Sequence, residues 1–447
     1  MTMKNKPDPR EVVSKAKAAG ADEAEVFISS SRSSTIEVSD QKIEAVDIKE
    51  ETGLGLRVFK DKRLGFSYTT DLSDASIDEV VEKAVSSSSF SEQDPFNTLP
   101  PPSKNNAQLD LYDKKIALTP INKKIEIAKQ IENAAYAFDA RIKKTEKATF
   151  SDSASEIVLV NSNSVEVFLK ENSCGGHIEV ISEADGLAEN GQYYKYVRKF
   201  DDLIPSEIGK EAARRATELI GARTVPSAEY DLVMDPVVAS QFLEASFALF
   251  SADFIQKGKS AFKGKIGGEI GSKALTIIDN GALPNGIASA LFDGEGVPTK
   301  ENILVNEGVL RGYLYDNYTA GKDKANSTGN SIRASFKAIP QVGPTNFYIK
   351  PGTTDASGLI RSVSKGIYIT RVMGMHTINP ISGDFSVGAA GILIKNGAKT
   401  SPVRGITIAG NLTDFFRSVR TVGKDLTFFL NFGSPTLLIE NISVSGG

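Results

Sequence analysis

The 447-residue sequence predicts an α+β protein in two parts. The first is an N-terminal α+β domain over residues 1–226, an antiparallel meander with helices. The second is a C-terminal domain over residues 227–447, mostly β, antiparallel and barrel-like, with one main helix. Three observations predict this. The chain is longer than one compact core supports. Period-2 hydrophobic alternation interleaved with helical spacing fills the first half. Most of the 38 glycines fall after residue 226, among short strand-like runs where tight bends and close backbone approach are needed.

A short helix, Pro9 to Ala19, opens the chain. The stretch EAEVFISSSRSSTIEVSDQKIEAVDIKEETGLGLRVFKDKRLGFSYTT alternates with period two and is broken at intervals by Ser, Asp, Gly and Lys, which predicts four or five antiparallel strands. DASIDEVVEKAVSSSS puts Ile77, Val80, Val81 and Ala84 on one helical face, with an acidic first turn that suits the helix dipole. The Pro-rich stretch 91–108 reads as a surface crossing. Thr119 is the expected N-cap, and Pro120 the first residue, of the helix in TPINKKIEIAKQIENAAYAFDA. Strand-like runs follow as far as GQYYKYVRKF. The helix DLIPSEIGKEAARRATELIGA then precedes a turn at 224–228, the expected domain boundary. Beyond it, YDLVMDP leads as a strand into a helix over 235–251. NEGVLRGYLYD and KNGAKTSPVRG read as hairpins, and a shorter helix is expected near residues 412–418.

Forty per cent apolar and 24 per cent charged residues are the values of a globular protein, and a net charge of −4 with scattered Lys and Arg gives no footprint for nucleic acid or an anionic membrane. No stretch has the ~20 uninterrupted apolar residues of a membrane span, and the charged N-terminus has no apolar leader, so a cytoplasmic location is expected. The single cysteine, Cys174, excludes an intrachain disulfide and a Cys-based zinc knuckle.

Candidate chemistry is thin. The two histidines, His177 and His376, share no helix, so the two-histidine helix of a zinc hydrolase is missing. His376, between methionines, reads as a packed or surface residue that could line a cleft. Cys174 and His177 are three apart in a strand and face opposite ways unless Gly175–Gly176 forms a bulge. TGLGLRVF, GGEIGSK and GEGVPTK lack the spacing of a dinucleotide fingerprint or a P-loop and read as tight strand turns. In NSTGNSIR, the small residues Ser327, Thr328, Gly329 and Asn330 could expose backbone N–H groups as a nest, with Arg333 beside them to hold a peptide carboxylate or carbonyl; a plain polar loop is the alternative. Asp293 and Glu295 could contribute to a carboxylate metal site, but acidic turns are ordinarily solvated. QFLEASFALFSADFIQKGKSAF reads internally as a buried core helix. Its Glu244 and Asp253, nine positions apart, would lie on opposite sides of an ideal helix.

Taken in order, several stretches resemble the TldD/PmbA family of two-subunit zinc peptidases, once named modulators of DNA gyrase. They are SRSSTIEVSDQKIEAVDIKEETGLGLRVF, EASFALFSADFIQKGKSAF, DGEGVPTKENILVNEGVLRGYLYD, NSTGN, GDFSVGAAGILIKNGAKTSPVRGITIAGNLTDFF and GSPTLLIENISVSGG, and together they span essentially the whole chain. The resemblance implies H-E-x-x-x-H on the helix of the catalytic half, before D-F-x-x-K-G-x-S. Laid on this chain through Asp253, Phe254, Lys257, Gly258 and Ser260, the ligand positions fall on Leu243 and Ala248, and the glutamate on Glu244. The third ligand of the family, a cysteine, has no counterpart in RTVGKDLTFFLNFGSP. The implied identity is the non-catalytic PmbA/TldE-type half. That half would carry no metal, with zinc in an H-E-x-x-x-H homologue as heterodimer partner and peptide as substrate. Asp253, Lys257, the 327–330 segment, Arg333 and His376 become candidates for lining a substrate channel. The i to i+5 ligand spacing of the active half implies a π-type distortion of its helix. Two rival readings stand beside this one: an independent, homodimeric peptide- or protein-binding protein, and a metallopeptidase using another metal site such as Asp293 and Glu295.

Overall fold

The structure is a computed structural model and describes residues 7–104 and 107–447; positions 105–106 of the expected surface crossing lie outside the described residues. It is the mixed α+β architecture that the sequence predicts. Its first sheet is wholly antiparallel, in the order β3-β2-β1-β4-β5-β6. These strands are β1 (Glu23–Ser39), β2 (Lys42–Lys60), β3 (Arg63–Thr69), β4 (Ile142–Asn161), β5 (Glu166–Ala184) and β6 (Leu187–Val197).

The opening meander therefore has three strands, not four or five. The polar residues read as breaks belong to long strands: the first ten residues of β2 are nearly all exposed, so polar side chains there interrupt the alternation without ending the strand. The turn between β1 and β2 puts Asp40 and Gln41 at positive φ. Both of their backbone N–H groups donate to the buried Glu132 carboxylate, at 2.8 and 2.7 Å. Gly53 and Gly55 sit inside β2 rather than at a turn. A Cβ there would collide with the Phe336 ring or with its carbonyl oxygen.

Helices α1 (Pro9–Ala18), α2 (Asp74–Ser87), α3 (Lys114–Leu118), α4 (Ile121–Phe138) and α5 (Pro205–Thr217) accompany this sheet. α1 and α2 pack on Val26, Ile28, Leu54 and Leu56; α4 and α5 pack on Phe150, Ile178 and Val180. Pro120 is itself the N-cap of α4, and Thr119 instead closes α3. The N-cap and N1 assignments are thus one position out, because α3 uses the residues that a longer lead-in to α4 would have claimed. Phe27, Leu159 and Val167 gather on Phe336 from the C-terminal part of the chain.

That C-terminal part is built on a barrel. β7 (Ala228–Met234) lies between strands Lys365–Met373 and Leu437–Ser445. Asp384–Lys395 and Ala398–Asn411 continue the sheet, which closes where Thr407 and Ile408 pair with Ser445 and Val444. Both expected hairpins are present. Asn396 and Gly397 turn one at positive φ, and Glu307 and Gly308 turn the other. A second sheet includes strands Ile277–Asn280, Glu301–Asn306 and Phe347–Ile349 and the hairpin Thr427–Phe429/Phe432–Ser434. The expected helix 235–251 is shorter: α6 spans Pro236–Ser246, followed by a 3-10 turn, Phe247–Phe250. The short helix falls at Leu412–Arg417, and Asn317–Asp323 and Ala356–Arg361 are helices the strand-rich sequence concealed.

Candidate functional site

α6 starts where Asp235 caps it, its carboxylate accepting from Val237 N at 3.0 Å, with Pro236 as first residue. It ends at Ser246, whose hydroxyl donates back to the Leu243 carbonyl at 2.6 Å. Phe242 stacks on Phe415 at 4.8 Å between ring centroids and meets Phe385 edge-on at 5.2 Å. Leu243 is fully buried in the core around it, and Ala248 is half-buried in the 3-10 turn. The backbone does leave α geometry between these two positions, but by tightening into 3-10 rather than by widening.

Glu244 projects outward from this helix, and what burial its carboxyl has raises its pKa above the ordinary glutamate value. The Tyr194 phenol of β6 feels that carboxylate; burial first, and Glu244 second, push its pKa up. Tyr193 and Tyr194 both meet Phe429 edge-on, at 6.1 and 6.0 Å, so an aromatic wall joins β6 to the hairpin at 427–434. That hairpin packs against α6. The region in which the third metal ligand was sought is thus brought to the helix in which the first two were sought.

Zinc does not fit these residues. Leu243 and Ala248 have no lone pair to offer, and the adjoining hairpin presents Phe428, Phe429 and Phe432 where a thiolate would be needed. Among the described residues no group of three or more His, Cys, Asp or Glu is arranged to hold a metal ion.

The remaining candidates fall into separate places. Asp253 and Lys257 pair with each other at 2.8 Å, one helical turn apart. His376 is exposed in a 3-10 turn. Cys174 is buried and His177 half-buried on the opposite face of β5, with the pairing to β4 unbroken through Gly175 and Gly176, so no bulge brings them together.

The polar groups of the 327–330 segment and Arg333 are engaged within the protein, whereas the buried Ser331 hydroxyl has no hydrogen-bond partner. Ser327 and Thr328 hydroxyls donate to the Tyr315 carbonyl at 3.3 and 3.1 Å, Gly329 N donates to Ser327 Oγ at 3.2 Å, and Ser331 N donates to Asp293 at 3.1 Å. Asn330 is fully buried and donates to Asp279 at 2.7 Å. Gly329 has φ +75°, and a Cβ on it would come within 2.5 Å of the Pro298 carbonyl oxygen, so only glycine fits. Arg333, 2% exposed at its side chain, is ion-paired to Glu25, donates to Gly294 O at 2.9 Å and lies over the Phe27 ring.

Asp293 and Glu295 are not solvated; both are buried, which corrects the acidic-turn reading. Asp293 accepts from the N–H groups of Glu295 and Val297, both at 2.9 Å, and burial followed by the Glu295 charge raises its pKa. Arg57 bridges Glu295 at 2.9 Å and Glu25 at 3.1 Å. The four groups Arg333, Glu25, Arg57 and Glu295 form a buried chain of alternating charge between the first sheet and the C-terminal part. A sequence reading missed it because its members are up to 308 positions apart. The local signals were two charged residues inside apolar runs, Glu25 in AEVFI and Arg57 in LGLRVF.

Comparison with known proteins places this arrangement. Profiles described as PmbA/TldA metallopeptidase domain 1, central domain and C-terminal domain match residues 24–88, 114–220 and 227–446. The chain belongs to the PmbA/TldD metallopeptidase family. It is 27% identical to a metalloprotease PmbA homologue of Haemophilus influenzae, covering 96% of this chain and 94% of that protein. It is also 27% identical to a metalloprotease TldD homologue of the same organism, covering 95% and 93%. A crystal structure of a candidate modulator of a DNA gyrase from Thermotoga maritima superposes with a TM-score of 0.90 at 28% identity, covering 98% and 99% of the two chains. TldE from Thermococcus kodakarensis shares the fold, with a TM-score of 0.91 at 22% identity over 98% and 99%.

Proposed function

We propose that this chain is the non-catalytic subunit of a heterodimeric, cytoplasmic zinc metallopeptidase that processes small or unfolded peptides, its zinc held by an H-E-x-x-x-H homologue. The observation that carries the reading is the pair Leu243 and Ala248: aliphatic residues stand at both helix ligand positions, while the surrounding scaffold and the adjoining hairpin remain in place. Such a subunit contributes shape rather than a reacting group. The aromatic wall of Tyr193, Tyr194 and Phe429, with the outward Glu244, is the surface this reading assigns to an extended peptide while the partner hydrolyses it.

The test is to purify the chain alone, its H-E-x-x-x-H homologue alone, and a mixture of the two. The expected result is no stoichiometric zinc and no peptidase activity in this chain, and a stable complex more active than either component. Unmixed homo-oligomers by gel filtration, with activity unchanged on addition, would remove the heterodimer. Near-equimolar zinc with hydrolysis by this chain alone would remove the non-catalytic role.

A further inference from the structure

A cleft of about 260 Å³ opens between β6, the start of α6 and the strand Lys365–Met373. Two arginines line it, Arg215 and Arg371, and no acidic residue among the described residues does. The acids that balance these arginines are Asp235 and Glu211 for Arg215, at 2.7 and 2.8 Å, and Glu189 for Arg371, at 3.5 Å; none of them lines the cleft. Burial, with Arg215 adding to it, weighs against the charge on Arg371. An anion placed there would relieve that cost.

A third polar group points to the same ligand. The strand Lys365–Met373 carries a bulge: Ile369 pairs with Gly391 and Arg371 with Ala390, so Thr370 is the extra residue. Thr370 is 5% exposed, its carbonyl accepts from Arg215 at 3.2 Å, and its hydroxyl has no hydrogen-bond partner. A buried hydroxyl without a partner is costly unless something supplies one. Gln241 of α6 adds an amide to the lining, and Val237, Leu219 and Met373 add an apolar wall.

We propose that this cleft is a carboxylate subsite that receives the C-terminal residue of a peptide, its α-carboxylate meeting Arg371, Thr370 and Gln241 and its side chain the apolar wall. The choice of a peptide as the source of the carboxylate rests on the peptidase-subunit reading above. The cleft is too large for a bare inorganic anion to fill, and its apolar wall suits a side chain attached to the carboxylate.

Calorimetric titration of the isolated chain tests this, with N-acetyl-leucine, N-acetyl-leucinamide, inorganic phosphate, and one leucine-terminated hexapeptide in acid and amide forms. Both acids are expected to bind at least about tenfold more tightly than their amides. Thr370→Val should weaken the acids several-fold, and Gln241→Glu, which places a carboxylate in the cleft, at least about tenfold, with thermal melting confirming that each variant folds. Equal affinity for acid and amide would overturn the proposal. So would phosphate competing as well as N-acetyl-leucine, or a hexapeptide acid that fails to bind where N-acetyl-leucine does. These titrations need neither zinc nor a partner. Failure to pair with the homologue while the acid preference persists would remove the heterodimer and leave the subsite standing; the reverse outcome would remove the subsite alone.

Discussion

The surroundings of α6 and the charged seam at Glu25–Arg57–Glu295–Arg333 solve opposite problems. The two positions 243 and 248 have no lone-pair donor: Leu243 is buried beside Phe242 in the apolar core, and the adjoining hairpin offers phenylalanines. The seam has donors in abundance and none to spare, since each carboxylate faces a guanidinium and the side chains are at most 7% exposed. What decides whether acidic residues can hold a metal is lone-pair availability, not their number, and interleaved arginines remove it. The seam joins the first sheet to the C-terminal part; α6 belongs wholly to the latter.

Breaking the seam should have the largest effect. Arg57→Met leaves Glu25 and Glu295 buried without their shared cation, a loss of about 3–5 kcal/mol. Urea unfolding should show this, with Glu25→Gln in the same chain restoring part of it. A loss below about 1 kcal/mol would place the seam among screened surface pairs.

Asp279 sharpens the contrast because it is a buried carboxylate served only by neutral donors: Thr345 Oγ1 at 2.6 Å, Thr345 N at 2.7 Å and Asn330 at 2.7 Å. Burial outweighs those donors and raises its pKa from 3.8 to about 6. Between these values the folded chain binds more protons than the unfolded chain, so the contribution is fully present below about pH 4 and is lost as pH rises through about 6. At about 1.4 kcal/mol per pH unit, the stability of the wild type relative to Asp279→Asn should fall by about 3 kcal/mol from about pH 4 to about pH 7. A difference that stays flat would show that the three donors keep Asp279 ionised.

These two regions also differ in how far the sequence reveals them. That Leu243 and Ala248 offer no metal donor is local and can be seen from residue identity, once the resemblance points to those two positions. The barrel was foreshadowed by glycine-turned hairpins such as Asn396–Gly397, whose positive φ is a short-range demand. The seam joins residues 25, 57, 295 and 333, and no periodicity encodes such pairings. The same limit misread Asp293 and Glu295 as solvated, and left the 327–330 segment open between a nest and a plain polar loop, because its partners at Tyr315, Asp279 and Gly343 come from other elements. The β1–β2 meander was overcounted because an exposed strand face mimics a series of breaks.

Placing imidazoles at positions 243 and 248 should cost less than breaking the seam. Leu243→His with Ala248→His supplies two neutral ligands beside Glu244 but no third, and two ligands leave zinc weakly held. An imidazole at fully buried Leu243 also lacks a hydrogen-bond partner, a loss of about 1–3 kcal/mol. Equilibrium dialysis should show weak zinc binding, and peptidase assays of the isolated variant no activity. Tight zinc binding with hydrolysis would reveal a third ligand near α6 and overturn the account of that region.

The smallest expected effect concerns the one cysteine in the chain. Cys174 lies in β5 within the core formed with α4 and α5, whereas Leu243 lies in the separate core of the barrel part, so this thiol is not available to complete a site at α6. Burial, with Asp152 and Asp113 adding to it and Lys124 opposing, pushes the thiol up to about 12 from an ordinary 9.0. Three units correspond to about a thousandfold less thiolate at neutral pH, and the thiolate is the reactive form. Ellman's reagent at about pH 8 should therefore find no reactive thiol in the native chain and one in urea, and Cys174→Ala should leave zinc content and partner binding unchanged. Rapid labelling of the native chain would show that β5 opens at this point and that the first sheet is looser than the barrel part.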